Sequence, residues 1–204
     1  MGLVHAMITM TLDGYVAGPN DGVENPLGDG GERIHEWLYA DEAWRAQHGL
    51  EGGERTVDSE VMQHTIERTG AVILGRRMYD NAHGWGDDPP FRVPVFVLTH
   101  RPEEPLAKND TTFTFVTEEP ARTLELARDA AGGKDVQLAG GASVIQQFMR
   151  VGLLDELVVN LSPILLGGGV PLFGSLGAAI RLDPVEVVGS PRVTHIRYQV
   201  SEAA

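Results

Sequence analysis

The chain has 204 residues, 42% of them hydrophobic, enough for one sizeable core and short for two, so a single domain over residues 1–204 is expected. It holds no run of eighteen apolar residues and no basic-then-apolar leader after Met1, which argues against a membrane span or a secretion signal and fits a cytoplasmic protein. A net charge of −13 without a basic run argues against nucleic acid and anionic membrane as partners, and zero cysteine excludes disulfides, thiolate zinc sites and cysteine nucleophiles.

Residues 4–12, VHAMITMTL, alternate apolar with small or polar side chains and predict a strand near the centre of a sheet, ending at Asp13-Gly14. Asp13 reads either as a turn former or as a substrate-binding residue. Residues 18–31 are rich in Gly, Pro, Asn and Asp and predict a long mobile loop of the kind that serves as a lid. Ile34, Trp37, Leu38 and Trp44 recur at helical spacing, predicting an amphipathic helix over 33–47 that Gly49, Gly52 and Gly53 break. Helical periodicity resumes over 57–69 through Val57, Val61, Met62 and Ile66. Asp58, near its start, is either a carboxylate favoured by the helix dipole or an acid projecting into a pocket.

The run AVIL at 71–74 predicts a buried strand ending in Gly75-Arg76-Arg77, and 93–98 predicts another ending in Thr99-His100-Arg101. Guanidinium groups at the C-terminal ends of strands suit an anionic ligand, which open α/β sheets bind along that edge. A short strand over 114–116 and a helix opened by Pro120 follow. Residues 134–152, KDVQLAGGASVIQQFMRVG, then read as strand, glycine turn and helix, with Ser143 as cap and Gly152 as the left-handed stop. Bare backbone at Gly140 and Gly141 beside a helix N-terminus makes a phosphate seat, although Gly-Gly is also an ordinary αβ connector. Neither G-x-G-x-x-G nor a Walker pattern is present.

After Gly152 the pattern changes to strands: 157–161, an extended 163–166, a turn at Gly167-Gly168-Gly169, and a hairpin of 185–188 with 194–200 around Ser190-Pro191. The predicted fold is therefore α/β, a three-layer α/β/α arrangement whose mostly parallel mixed sheet ends in a C-terminal antiparallel hairpin. The histidines are scattered; His35, His48, His64 and His83 read as isolated surface residues, and no metal is expected.

Five segments carry a resemblance: Thr11-Leu12-Asp13-Gly14-Tyr15-Val16-Ala17, Gly75-Arg76-Arg77, Thr99-His100-Arg101, Ala139-Gly140-Gly141-Ala142-Ser143, and Leu154-Asp155-Glu156 followed by Pro163 and Leu166-Gly167-Gly168-Gly169. In this order the chain resembles the dihydrofolate reductase-like superfamily, in the branch of the riboflavin-biosynthesis reductase domain. The resemblance implies an NADPH-dependent oxidoreductase that reduces a C=N or C=O group of a small heterocycle, of the 5-amino-6-(5-phosphoribosylamino)uracil reductase type, working as a homodimer. It implies that Gly75, Arg76, Arg77, Thr99 and Arg101 meet the adenosine phosphate end and that Gly140, Gly141, Ala142 and Ser143 lie under the pyrophosphate. It also implies Asp58 as proton source, since folate reductases carry a carboxylate early in the second helix, with Asp13 and Trp85 lining the substrate side. The family's frequent threonine soon after the Gly-Arg step is Met78 here. The alternatives are a dihydrofolate or pteridine reductase and a nucleotide-binding protein without turnover.

Overall fold

The computed structural model describes residues 2–174 and 176–202. In chain order it contains β1 (Val4–Thr11), β2 (Tyr15–Ala17), α1 (Glu36–Ala40), α2 (Glu42–Gln47), α3 (Val57–Arg68), β3 (Thr69–Gly75), α4 (Arg76–Asn81), β4 (Val95–Leu98), β5 (Leu106–Lys108), β6 (Thr111–Val116), α5 (Pro120–Ala130), β7 (Asp135–Gly140), α6 (Ala142–Arg150), β8 (Glu156–Ser162), β9 (Val170–Pro171), β10 (Ile180–Gly189) and β11 (Thr194–Glu202). Nine of these strands form one sheet in the order β10-β11-β8-β1-β7-β3-β4-β6-β5. The run from β8 to β6 is parallel throughout, with antiparallel β11 and β10 added at one edge and antiparallel β5 at the other. Strands β2 and β9 pair separately.

Parallel strands covered on both faces must be apolar on both, and β3 is: Ala71 and Ile73 face one layer while Val72 and Leu74 face the other. The first layer is α5 and α6, whose Leu124, Ala127, Ile145 and Phe148 pack on Val4, Val136, Leu138 and Leu157. The opposite layer has two parts. Trp37 and Met62 of α1 and α3 cover Met7 and Val158, and Tyr79, Trp85 and Phe91 surround Val95, Val97 and Phe113. Each fully buried Ile or Phe contributes about 1.5–3 kcal/mol. The α/β class, the three layers and the terminal hairpin follow the sequence expectation.

Four details differ from it. The helix expected over 33–47 is a short 3₁₀ turn (Gly31–His35) followed by α1 and α2, because Asp41 stands extended between them and its carboxylate caps the Trp44 N–H at 2.9 Å. Strand β5 is an added edge strand that the sequence pattern does not predict, being only three residues long. Strand β10 begins five residues before Val185, running through Pro184 at a register shift that only an edge strand tolerates. Residues 163–166 are loop, not strand. Among the described residues no helix is long and apolar enough to cross a membrane.

Candidate active site

Strand β1 is bonded unequally on its two sides. It pairs with β8 from His5 to Thr11, but with β7 only from Val4 to Ala6. Beyond Ala6 and Leu138 the two central strands part, and Ile8 and Thr9 on one side face Ala139 and Gly140 on the other across a cleft of about 1280 Å³. The cleft runs along the C-terminal rim of the sheet, past Gly75 and Thr99, to Glu119 at the start of α5.

At its centre the β7–α6 turn is bare backbone. Gly140 has φ +136°, which L side chains rarely adopt, and a Cβ there would lie 3.0 Å from Met78 Sδ. A Cβ on Gly141 would meet no atom within 4 Å, so this stretch faces open cleft, and the peptide joining the two glycines is cis. Gly141 is the N-cap of α6 and no side chain caps the helix, so Ser143 does not hold the place expected of it. The first N–H groups of a helix have no intrahelical acceptor, and Ala142 and Ser143 line the cleft where those groups emerge.

The arginines divide. Arg76 and Arg101 come together beside Thr99: Arg76 Nε donates to Asp80 at 2.7 Å, Arg101 Nη2 donates to the other Asp80 oxygen at 2.6 Å, and Arg76 Nη1 donates to Glu103. The Arg76 guanidinium lies 5.6 Å from the rings of both Tyr79 and Phe115. Arg77 serves a different purpose, binding Asp21 through Nε and Nη2 and so tying residues 18–31 to α4. That loop, expected as a mobile lid, is cross-braced by Gly18 N–H to Leu27 O at 2.8 Å, Asp29 N–H to Pro19 O at 2.7 Å, and paired bonds between Gly22 and Asn25. Asp21, Val23 and Leu27 form one lip of the cleft.

Both catalytic assignments to carboxylates need correction. Asp13 does not line the cleft; it accepts from the Thr11 hydroxyl and from the N–H groups of Leu166 and Gly167, the latter at 2.7 Å. These bonds, the Thr11 one first, hold its carboxyl below the usual range and make it the clamp between the β1 turn and the 163–169 loop. Asp58 is buried behind the cleft wall, where it accepts from His195 Nε2 at 2.9 Å. His195 Nδ1 in turn lies 2.7 Å from Asn160 Oδ1, and Trp37 packs edge-on against the imidazole. Asn160, opposite Thr9 in the β1–β8 ladder, is the member of this chain that reaches the cleft. Trp85 does line the cleft, edge-on to Phe91.

The inner end of the cleft holds residues that the sequence reading did not select for a site. His48 stacks on Trp44 at 3.9 Å, and Leu38, Met62, Ile66 and Phe91 complete an apolar wall. Gln137, Thr9 and Asn160 supply neutral polar groups. His35 and His48 are not isolated surface residues: both line this end, and burial lowers the pKa of His35 to about 4 and depresses that of His48. Their only signal was position, since His35 and His48 flank α1 and α2, which carry apolar residues of this wall.

Comparison with known proteins agrees with this fold. A candidate riboflavin biosynthesis protein of Shewanella sp. PV-4, solved by crystallography, superposes with TM-score 0.71 at 26% identity, over 98% of this chain and 99% of that one. An uncharacterised Bacillus subtilis protein, YwjB, is 26% identical over 170 residues, 83% of this chain and 81% of its own. Dihydrofolate reductase from Enterococcus faecalis, solved with NADP(H), shares the fold at TM-score 0.56 and 13% identity over 98% of both chains. The family model of the RibD C-terminal domain matches residues 3–195, and the chain belongs to that family.

Proposed function

We propose that the chain is a nicotinamide-nucleotide-dependent reductase of a small heterocycle, NADPH being the cofactor on the family's pattern and a riboflavin-pathway pyrimidine the substrate class. The observation that carries this reading is the cleft itself: a parted pair of central strands, a glycine turn at a helix N-terminus and a pair of arginines lie in sequence along one rim. These residues fit a dinucleotide. Ile8 and Ala139 flank the place for a flat ring, Gly140 to Ser143 offer N–H groups to a pyrophosphate, and Arg76, Arg101 and Thr99 offer cations and a hydroxyl to the adenosine end.

The cofactor, when bound, supplies a hydride equivalent. The protein orients the substrate against it and excludes water. Trp44, His48 and Phe91 give the substrate ring an apolar wall, and Asn160, held on one side by His195, turns the other end of its amide to the substrate. Asp58 acts through His195 to hold Asn160, and donates nothing directly. A folate reading has less support, because a carboxylate gripping a pterin belongs where Asp58 is turned away.

The test is oxidation of NADPH by the purified protein in the presence of 5-amino-6-(5-phosphoribosylamino)uracil, with dihydrofolate in parallel. Turnover of the pyrimidine alone is expected. Nucleotide binding without turnover of either would favour a binding module, and methotrexate-sensitive turnover of dihydrofolate would favour the folate reading.

A further inference from the structure

The adenosine end of the cleft carries more carboxylates than guanidinium groups. Its two cations, Arg76 and Arg101, are both engaged: Asp80 bridges them, and Glu103 accepts from Nη1 of Arg76. Glu118 and Glu119 border the same end. The Arg76 side chain is 18% exposed and lies against Tyr79 and Phe115, so it cannot swing out to meet a new anion. The Glu103 side chain is 41% exposed and can leave.

A phosphate monoester brings about two negative charges and seeks a guanidinium in paired hydrogen bonds. To bond both Nη groups of Arg76 in that paired way it has to displace Glu103 from Nη1. A ribose 2′-hydroxyl meets no such obstacle, since it donates to a carboxylate as it stands, which is how acidic residues select NADH in dinucleotide folds.

We infer that Glu103 and Asp80 form a carboxylate latch over Arg76 and Arg101 that sets the choice of nucleotide, so that the chain separates NADPH from NADH only weakly. This rests on the nicotinamide reading proposed above. Within it, Glu103 is the specificity-determining residue, because its removal frees a fixed guanidinium without touching the glycine turn or the ring slot.

The experiment is a titration of the full chain with NADPH and with NADH, followed by quenching of tryptophan fluorescence, on wild type, Glu103→Gln and Glu103→Ala. The wild-type dissociation constants are expected to lie within about tenfold of each other, and the ratio of NADH to NADPH constants to rise at least about fivefold in both variants. A wild-type ratio beyond about tenfold in favour of NADPH, or a ratio that neither variant raises, overturns the latch. Failure of the folded wild type to bind either nucleotide overturns the nicotinamide reading itself, and the latch falls with it.

Discussion

At the Thr99 end of the cleft the working groups are charged, partly exposed and drawn from short stretches of chain: Arg76 and Asp80 sit one helical turn apart, and Arg101 lies two residues beyond Thr99. At the Asn160 end they are neutral or paired, buried, and gathered from segments as far apart as the 137 residues between Asp58 and His195. The first kind of site is tuned by salt and by competing anions, since exposed ion pairs contribute less than about 1 kcal/mol each and are screened. The second is tuned by packing and proton balance, because a buried charge left without its partner is costly. One cleft thus joins an electrostatic end that a ligand can rearrange to a packed end that a ligand must fit.

The sharpest way to break this comparison is at the packed end. Asp58→Ala should cost about 3–5 kcal/mol in chemical denaturation, because His195 loses its buried partner, whereas Asp58→Asn, which keeps an acceptor, should cost about 1–3 kcal/mol. Abolished turnover with unchanged stability in Asp58→Asn would instead restore Asp58 as a proton donor. Next comes acid. Burial lowers the pKa of His5 to about 3 and of His35 to about 4, so the folded state favours their neutral forms. Their contribution is complete above the unfolded value of about 6.5 and is lost as pH falls from there towards 3 and 4, by up to about 5 kcal/mol for His5 and about 3 kcal/mol for His35. Urea denaturation across that range, with His5→Gln flattening the slope, checks it.

Effects at the electrostatic end and at the turn between should be smaller in stability and larger in binding. Gly140→Ala places a side chain at φ +136° against Met78, with a cost of about 1–3 kcal/mol readable in the thermal midpoint. Arg76→Ala should weaken NADPH binding about tenfold in a fluorescence titration, the loss of one charge-assisted contact, and lower stability in urea by about 1 kcal/mol through lost packing on Tyr79 and Phe115. The smallest effect is expected from Arg77→Ala. Its ion pair with Asp21 is exposed, so global stability should change by less than about 1 kcal/mol, while limited proteolysis within 18–31 speeds up.

The same contrast explains what the sequence revealed. Gly75, Thr99 and Gly140 could be read as one rim because each sits where a short apolar strand meets its own glycine or hydroxyl, and parallel topology brings such ends together. Asp58 could be placed at the start of α3, where Thr56 and Ser59 do form a capping box, but the direction of its side chain is decided by His195 on β11. Asp13 was misjudged for the same reason, its true partners Leu166 and Gly167 lying across a loop contact 153 and 154 residues away. Local pattern fixes where a residue sits along an element; which side chain it meets is settled only by tertiary packing.

The unequal bonding of β1 has a mechanical consequence. With only Val4 to Ala6 stitched to β7, the sheet consists of two wings, one from β10 to β1 and one from β7 to β5, fastened at the base and open at the top. A flat molecule lodged in that opening touches both wings at once and acts as a further rivet. A molecule bound in the slot would add a contact between the wings to the one that Arg77 and Asp21 already make at the rim.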